Sequence, residues 1–178
     1  MDPKDYLIEQ CRNGDQRAMM ELYDRYARAM YNTCLRLLND DADAEDAMQE
    51  SFMKAFERLE QFNGQVAFGA WLKKIVVHHC LDRIKKMEIE WISTEDTLLQ
   101  PVAEEEGDRG EFNIDHVYKA MEKLPGGYKT ILSLYLLEGY DHEEIAQILN
   151  IDAGTSRSQY ARAKNKLKSI LNQRSYVG

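Results

Sequence analysis

The sequence predicts an all-α protein made of two small helical domains joined by an acidic, flexible linker, the C-terminal domain being a helix-turn-helix. Three observations predict it. Apolar residues recur at helical spacing through most of the first half. That period is lost between Met87 and Phe112, where Pro101, two glycines and an acidic run gather. It returns in the last third, where a short Gly-containing turn separates two helical segments. The expected boundaries are residues 1–88, 89–112 and 113–178.

A chain of 178 residues holds one ordinary domain or two small ones. With 44% hydrophobic and 30% charged residues it has a soluble composition able to bury a core. No apolar run approaches the length of a membrane span, and MDPKDYLIEQ lacks the basic-then-apolar order of a signal peptide. A cytoplasmic location without membrane insertion is expected. Cys11, Cys34 and Cys80 are odd in number and far apart, so no disulfide framework or paired metal knuckle can be read from them, and a reducing compartment suits them. The net charge of −8 argues against nucleic acid until its distribution is read. Residues 1–88 hold 13 Lys/Arg against 16 Asp/Glu, residues 89–112 hold 1 against 8, and residues 113–178 hold 9 against 7. Ala153 to Gly178 carries Arg157, Arg162, Lys164, Lys166, Lys168 and Arg174 with no acidic residue, a local field suited to phosphate.

Asp5 to Arg12 reads as a short helix, and Asn13-Gly14-Asp15 supplies a stop followed by an N-cap. From Gln16 to about Leu38, Met19, Leu22, Tyr23, Tyr26, Met30, Thr33, Leu37 and Leu38 broadly keep the helical period. Residues 39–43 break and recap the chain with carboxylates that suit the positive end of the next helix. On that helix Ala44, Ala47, Met48, Ser51, Phe52, Ala55, Phe56 and Leu59 form one buried stripe. Asp46, Gln49, Glu50, Met53, Glu57 and Glu60 gather opposite. A Met among polar groups is compatible with a docking surface. On spacing alone, a solvated face with one stray Met fits better.

Asn63-Gly64-Gln65-Val66 is a polar turn with a flexible Gly, and a helix from about Ala67 to Lys86 follows it. Phe68, Trp71, Leu72, Ile75 and Leu81 mostly serve its core side, while Lys73, Lys74, His78, Arg83, Lys85 and Lys86 offer a basic edge. His78-His79-Cys80 is not expected to hold a metal, because adjacent helical residues point about 100° apart; DNA contact or packing suits the histidines better.

The 24 residues 89–112 could extend to roughly 80 Å, enough to join modules acting at well-separated sites, although a merely solubilising tether fits the composition equally well. Ile114 to Lys123 is the next helix, and Pro125 starts another over Gly126 to Leu137. Lys129-Thr130 lacks the spacer of a phosphate loop. Asp141 to Glu144 has the pattern of a capping box, 150–154 is the turn, and Thr155 to Leu171 is a basic helix. In a helix-turn-helix the second helix enters the major groove by its N-terminal residues. Thr155, Ser156, Arg157 and Gln159 have base-reading chemistry there, and Arg162, Lys164, Lys166 and Lys168 suit phosphates.

The segment AEDAMQESFMKAF, with Asp46-x-x-Gln49-Glu50, resembles the most characteristic segment of bacterial sigma factors, in particular the small extracytoplasmic-function (ECF) type. FGAWLKKIVVHHCLDRIKK resembles their promoter-melting and −10-reading region, with Val77-His78 where the family commonly has Arg-Asn. KLPGGYKTILSLYLLEGYDHEEIAQILNIDAGTSRSQYARAKNKLK is similar to their −35-recognition domain. The resemblance spans about 150 residues in the right order with a linker between. It implies a non-enzymatic transcription initiation factor without cofactor that joins core RNA polymerase to promoter DNA. Asp46, Gln49, Glu50 and Met53 would then dock on polymerase. Asn63, Gly64 and Gln65, with Lys73, Lys74, His78, Arg83, Lys85 and Lys86, would serve the −10 element. An anti-sigma protein is an implied partner. The competing reading is a stand-alone helix-turn-helix regulator with an N-terminal ligand-binding or dimerisation domain.

Overall fold

The computed structural model describes residues 3–86 and 114–174. The described residues are helical, without strands, and the chain divides into two compact units, Met1–Met87 and Glu88–Gly178. The expected linker, residues 89–112, lies outside the described residues.

The first unit contains α1 (Pro3–Arg12), α2 (Gln16–Leu38), α3 (Asp41–Glu57), a 3-10 turn (Leu59–Gln61) and α4 (Phe68–Lys86). Asp15 caps α2 by accepting hydrogen bonds from the amides of Arg17 and Ala18 at 2.8 and 3.2 Å. Asn39, left-handed at φ 58°, ends α2, and Asp40 caps α3 by accepting from the Asp43 amide at 2.9 Å. The turn between these helices is thus fixed by two adjacent residues, as the 39–43 break predicts. Helices α2, α3 and α4 pack on one another, and α1 lies along α2 and the 3-10 turn.

Ala44, Ala47, Ser51 and Ala55 are fully buried on α3, and their small side chains let the neighbouring helices approach closely. The Ser51 hydroxyl donates to the Ala47 carbonyl at 2.6 Å, so it enters the core with its polar group satisfied. The buried arc of α4 is wider than its sequence suggests. Trp71 and Ile75 are only partly covered, whereas Val76, Val77, His79, Cys80 and Ile84 join Phe68, Leu72 and Leu81 inside. Because α4 packs against both α2 and α3, one apolar stripe would not suffice.

The second unit contains α5 (Ile114–Met121), α6 (Gly126–Leu132) running into a π-helical turn at Ser133–Leu137, α7 (His142–Leu149) and α8 (Ala153–Arg174). Ala120, Met121, Leu124, Tyr128, Leu132, Ala163 and Leu167 form a core in which α5 and α6 pack on α8. The capping box at Asp141 is complete: its carboxylate accepts from the Glu144 amide at 2.8 Å, and its amide donates to the Glu144 carboxylate at 3.0 Å. Asn150, at φ 55°, supplies the left-handed turn residue, while Gly154 lies inside α8. Helix α8 accordingly starts two residues earlier than its sequence suggests. Its first turn is closed by the Ser156 amide donating to the Asp152 carbonyl at 2.9 Å.

Candidate polymerase and nucleic-acid interfaces

On α3 the side opposite the buried alanines is open to solvent. Asp46, Gln49, Glu50 and Met53 are all exposed, Met53 to 64%, and the Gln49 amide reaches Glu45 at 3.4 Å. Met53 is thus a large apolar side chain left uncovered within the unit, on a helix whose other face is fully buried.

Glu50 differs from its neighbours on this strip. Its carboxylate accepts from His79 Nε2 at 2.7 Å and from an Arg83 Nη at 3.1 Å. The other Arg83 Nη donates to the Asp43 carboxylate and carbonyl at 3.4 and 3.3 Å. Lys54 Nζ lies 2.6 Å from His79 Nδ1. An ammonium can only donate, so Nδ1 is the acceptor and Nε2 carries the proton given to Glu50. Burial, then the Lys54 charge, push the His79 pKa below its ordinary value. Desolvation raises the Glu50 pKa, but the His79 hydrogen bond and the Arg83 charge outweigh it, and the net shift is downward. Glu50 is therefore a strut between α3 and α4 as well as a surface group. Arg83, expected on a nucleic-acid edge, is turned toward the α3 carboxylates instead.

The turn at 63–66 has the conformation its composition predicts. Gly64 is at φ +74°, and the Asn63 side-chain oxygen accepts from the Gln65 amide at 3.1 Å. Asn63, Gly64, Gln65 and Val66 are exposed. Their base is stiff: Phe62 meets Phe68 edge-on at 5.5 Å and Trp71 at 5.4 Å, while Tyr26 packs on Phe68 at 5.4 Å. The Arg12 guanidinium donates to the Phe62 carbonyl. A Cβ at Gly69 would come within 2.8 Å of the Tyr26 ring, so the start of α4 is seated by a glycine.

At about 100° per residue, Lys74, His78 and Lys85 share one outward side of α4 with the mostly covered Trp71. His78 Nδ1 sits 2.7 Å from the Lys74 carbonyl. Lys73 lies on a different side, and Lys86 is exposed at the helix end. Trp71, expected on the core side from its spacing, is in part exposed. Its ring packs on Phe62 and Phe68 at 5.4 and 5.6 Å.

On α8 the candidate residues separate into two flanks. Arg157, Lys164 and Lys168 lie on one and Thr155, Gln159, Arg162 and Lys166 on the other. Between them, opposite the buried Ala163, runs a strip of Gly154, Ser158, Ala161 and Asn165. Sequence reading passed over Ser158 and Asn165, although their seven-residue spacing opposite Tyr160, Ala163 and Leu167 marks them. Small residues there let a helix backbone approach a groove. Ser156 requires correction: it is fully buried, its hydroxyl 2.9 Å from His142 Nδ1, so it fixes the helix instead of facing a base. The His142 ring stacks on Tyr135 at 4.7 Å, and Tyr160 packs on Tyr135 at 4.5 Å. Lys164 Nζ lies 5.1 Å from the Tyr160 ring centre. Arg157 is exposed and pairs with Glu143 at 3.0 Å. The Nε of Arg162 is buried without a hydrogen-bond partner. Lys166 and Lys168 are exposed.

Comparison with known proteins places both units. Residues 22–88 match sigma-70 region 2, and residues 114–167 match sigma-70 region 4. The chain is 30% identical over 175 residues to the ECF RNA polymerase sigma-E factor of Haemophilus influenzae, covering 92% of each chain. It is 28% identical over 176 residues to the ECF RNA polymerase sigma factor SigW of Bacillus subtilis, covering 92% of this chain and 94% of that one. In fold it resembles the sigma factor RpoE of Bartonella quintana, solved with the anti-sigma factor NepR, at a TM-score of 0.59 and 23% identity over 86% of this chain and 96% of that one. CnrH, solved with the cytosolic domain of CnrY, gives 0.57 at 22% identity over 94% and 96%. Among the described residues no helix is long and apolar enough to cross a membrane. With a region 2 before a region 4 and this likeness along nearly its whole length, the chain belongs to the sigma-70 family of RNA polymerase sigma factors, in its extracytoplasmic-function branch.

Proposed function

We propose that this sigma factor divides its work among three surfaces. The exposed strip of α3, centred on Asp46, Gln49 and Met53, docks on core RNA polymerase. The turn 63–66, with Trp71 and the Lys74, His78 and Lys85 side of α4, takes the −10 element. The outward strip of α8 and its flanks take the −35 element. The observation that carries this reading is the two-sidedness of α3, fully buried at Ala44, Ala47, Ser51 and Ala55 yet exposed at Met53. Residues 1–88 and 113–178 act as the two functional domains, with residues 89–112 as the connecting linker. The protein works in the cytoplasm, leaves the chemistry to polymerase, and is held inactive by an anti-sigma partner, as the complexes of its structural neighbours suggest. The stand-alone regulator gives way to the family assignment, because a ligand-binding domain has no use for a sigma-70 region 2. Run-off transcription with core polymerase and a promoter library tests the proposal as a whole; the absence of promoter-dependent transcripts would refute it.

Base reading and phosphate binding separate on α8. Arg157→Ala is expected to cost about 1 to 3 kcal/mol and to relax preference at one −35 position. Lys166→Ala weakens all sequences alike and flattens the salt dependence by about one charge. Holoenzyme binding to promoters with single −35 changes measures both. Equal losses on every promoter for Arg157→Ala would remove it from base reading.

In the −10 region, replacing Asn63-Gly64-Gln65 with alanines is expected to slow promoter opening and blur the sequence preference of the non-template strand. An exposed polar turn on an aromatic base suits an unstacked nucleotide better than a duplex groove. Fluorescence of 2-aminopurine placed along that strand in the holoenzyme complex reports capture. Unchanged opening and preference would move the pocket elsewhere.

A further inference from the structure

The first turns of α7 and α8 are joined by two side-chain links of opposite character. One is largely buried, His142 to the fully enclosed Ser156 at 2.9 Å, reinforced by the Tyr135 ring stacked on His142 at 4.7 Å and by Tyr160 packed against both. The other is exposed, Glu143 to Arg157 at 3.0 Å, with the side chains 63% and 54% accessible. The buried link fixes the spacing of the two turns, so the exposed one follows from a rigid frame. Glu143 is also the first-turn carboxylate of α7 that capping leaves available. Asp141 accepts from the Glu144 amide, and the Glu144 carboxylate accepts from the Asp141 amide. From Ala153 onward the sequence has no carboxylate of its own. Glu143 is thus positioned against Arg157, the first cation of the flank that Lys164 and Lys168 continue along α8.

We infer that Glu143 is a specificity-determining residue for the −35 element, acting through Arg157. A guanidinium has five donors in a planar fork; engaging one Nη with Glu143 leaves the remaining donors of the fork to meet a base edge. The carboxylate has a second effect. A free Arg beside DNA is drawn to the nearest phosphate, a contact that carries no sequence information. A carboxylate one hydrogen bond away neutralises that pull and is itself repelled by phosphates, so Arg157 gains most where a base replaces the lost attraction. Glu143 thereby trades overall affinity for discrimination. The inference rests on the assignment of Arg157 to base reading.

The test uses holoenzyme carrying wild-type, Glu143→Gln, Arg157→Ala or doubly substituted chain, with promoters identical except at single −35 positions. Gln is close to isosteric with Glu and removes only the charge. Binding is measured across a salt series. Glu143→Gln is expected to tighten binding to mismatched promoters and to reduce discrimination at the Arg157-dependent position by about tenfold, the order of one bidentate base contact. The slope of log K against log salt steepens by about 0.9, as for one added phosphate contact. In the Arg157→Ala background the same change is expected to leave discrimination unaltered. Unchanged or sharper discrimination for Glu143→Gln alone overturns the inference, and so does an equal effect with and without Arg157. If Arg157→Ala itself relaxes no position, the base-reading assignment of Arg157 fails first and takes this inference with it.

Discussion

Asp46→Lys is expected to weaken binding to core RNA polymerase by about thirtyfold or more while the melting temperature barely moves. Asp46 is exposed near the middle of α3, beyond the first turn, where the capping of Asp40 and the helix dipole act. Substitutions at such positions usually change stability by less than about 0.5 kcal/mol. Docking is different, because a carboxylate facing a basic partner at the desolvated centre of an interface is worth roughly 2 kcal/mol or more, and reversal adds repulsion to the loss. Met53→Ala is expected to weaken binding further by removing the apolar contact beside it. Titrating core polymerase with labelled variants, with a thermal melt of each, separates the possibilities. A solvated face predicts no change in either measurement and a core position predicts a change in both. Undiminished affinity in a folded Asp46→Lys protein would end the docking assignment.

The buried side of α3 was legible because apolar spacing encodes which face of a helix is covered. Ala44, Ala47, Met48, Ser51, Phe52 and Ala55 are all buried and Phe56 partly so, while Leu59, the last of the stripe, is buried in the 3-10 turn after α3. Spacing is silent about which polar residue reaches another helix. Glu50 and Met53 read alike as outward residues, yet Glu50 is tied to His79 and Arg83, 29 and 33 residues further along. The pairing of Arg83 was hidden for the same reason, since a basic residue on the edge of a helix reads as available for DNA until its carboxylate partners are seen. In the second unit the capping box at Asp141 was readable because it is local. The end of the turn was not, because Asn150 took the left-handed conformation that Gly154 also could have taken. Ser156 lies against His142, a partner 14 residues back that no local pattern announces.

The strut role of Glu50 alters what a charge reversal on this face would do. Glu50→Lys is expected to lower the melting temperature of the free protein by roughly 10 °C, whereas Asp46→Lys does not. Three consequences combine. His79, only 9% accessible, loses the acceptor for its Nε2 proton, and an unsatisfied buried donor costs about 1 to 3 kcal/mol. Arg83 loses the nearer of its two carboxylates. A new ammonium enters a site that already holds Lys54 and Arg83. In a unit of this size, about 2 kcal/mol corresponds to roughly 8 to 16 °C. A double reversal, Asp46→Lys with Glu50→Lys, would therefore lower melting temperature and polymerase affinity together, so only the single variants separate the two roles. The network should also appear in the pH dependence of the wild type. His79 has a folded pKa below its ordinary 6.5, so its neutral form adds stability above that pH, and the contribution is lost as pH falls below 6.5 toward the folded value. Glu50, also depressed, holds its contribution until pH falls below the ordinary carboxylate value of 4.5. The melting temperature is thus expected to decline first below pH 6.5 through His79, and His79→Gln to flatten that part of the profile. If Glu50→Lys instead melts with the wild type and loses only polymerase affinity, the strut is dispensable and Glu50 belongs with Asp46 on the docking strip.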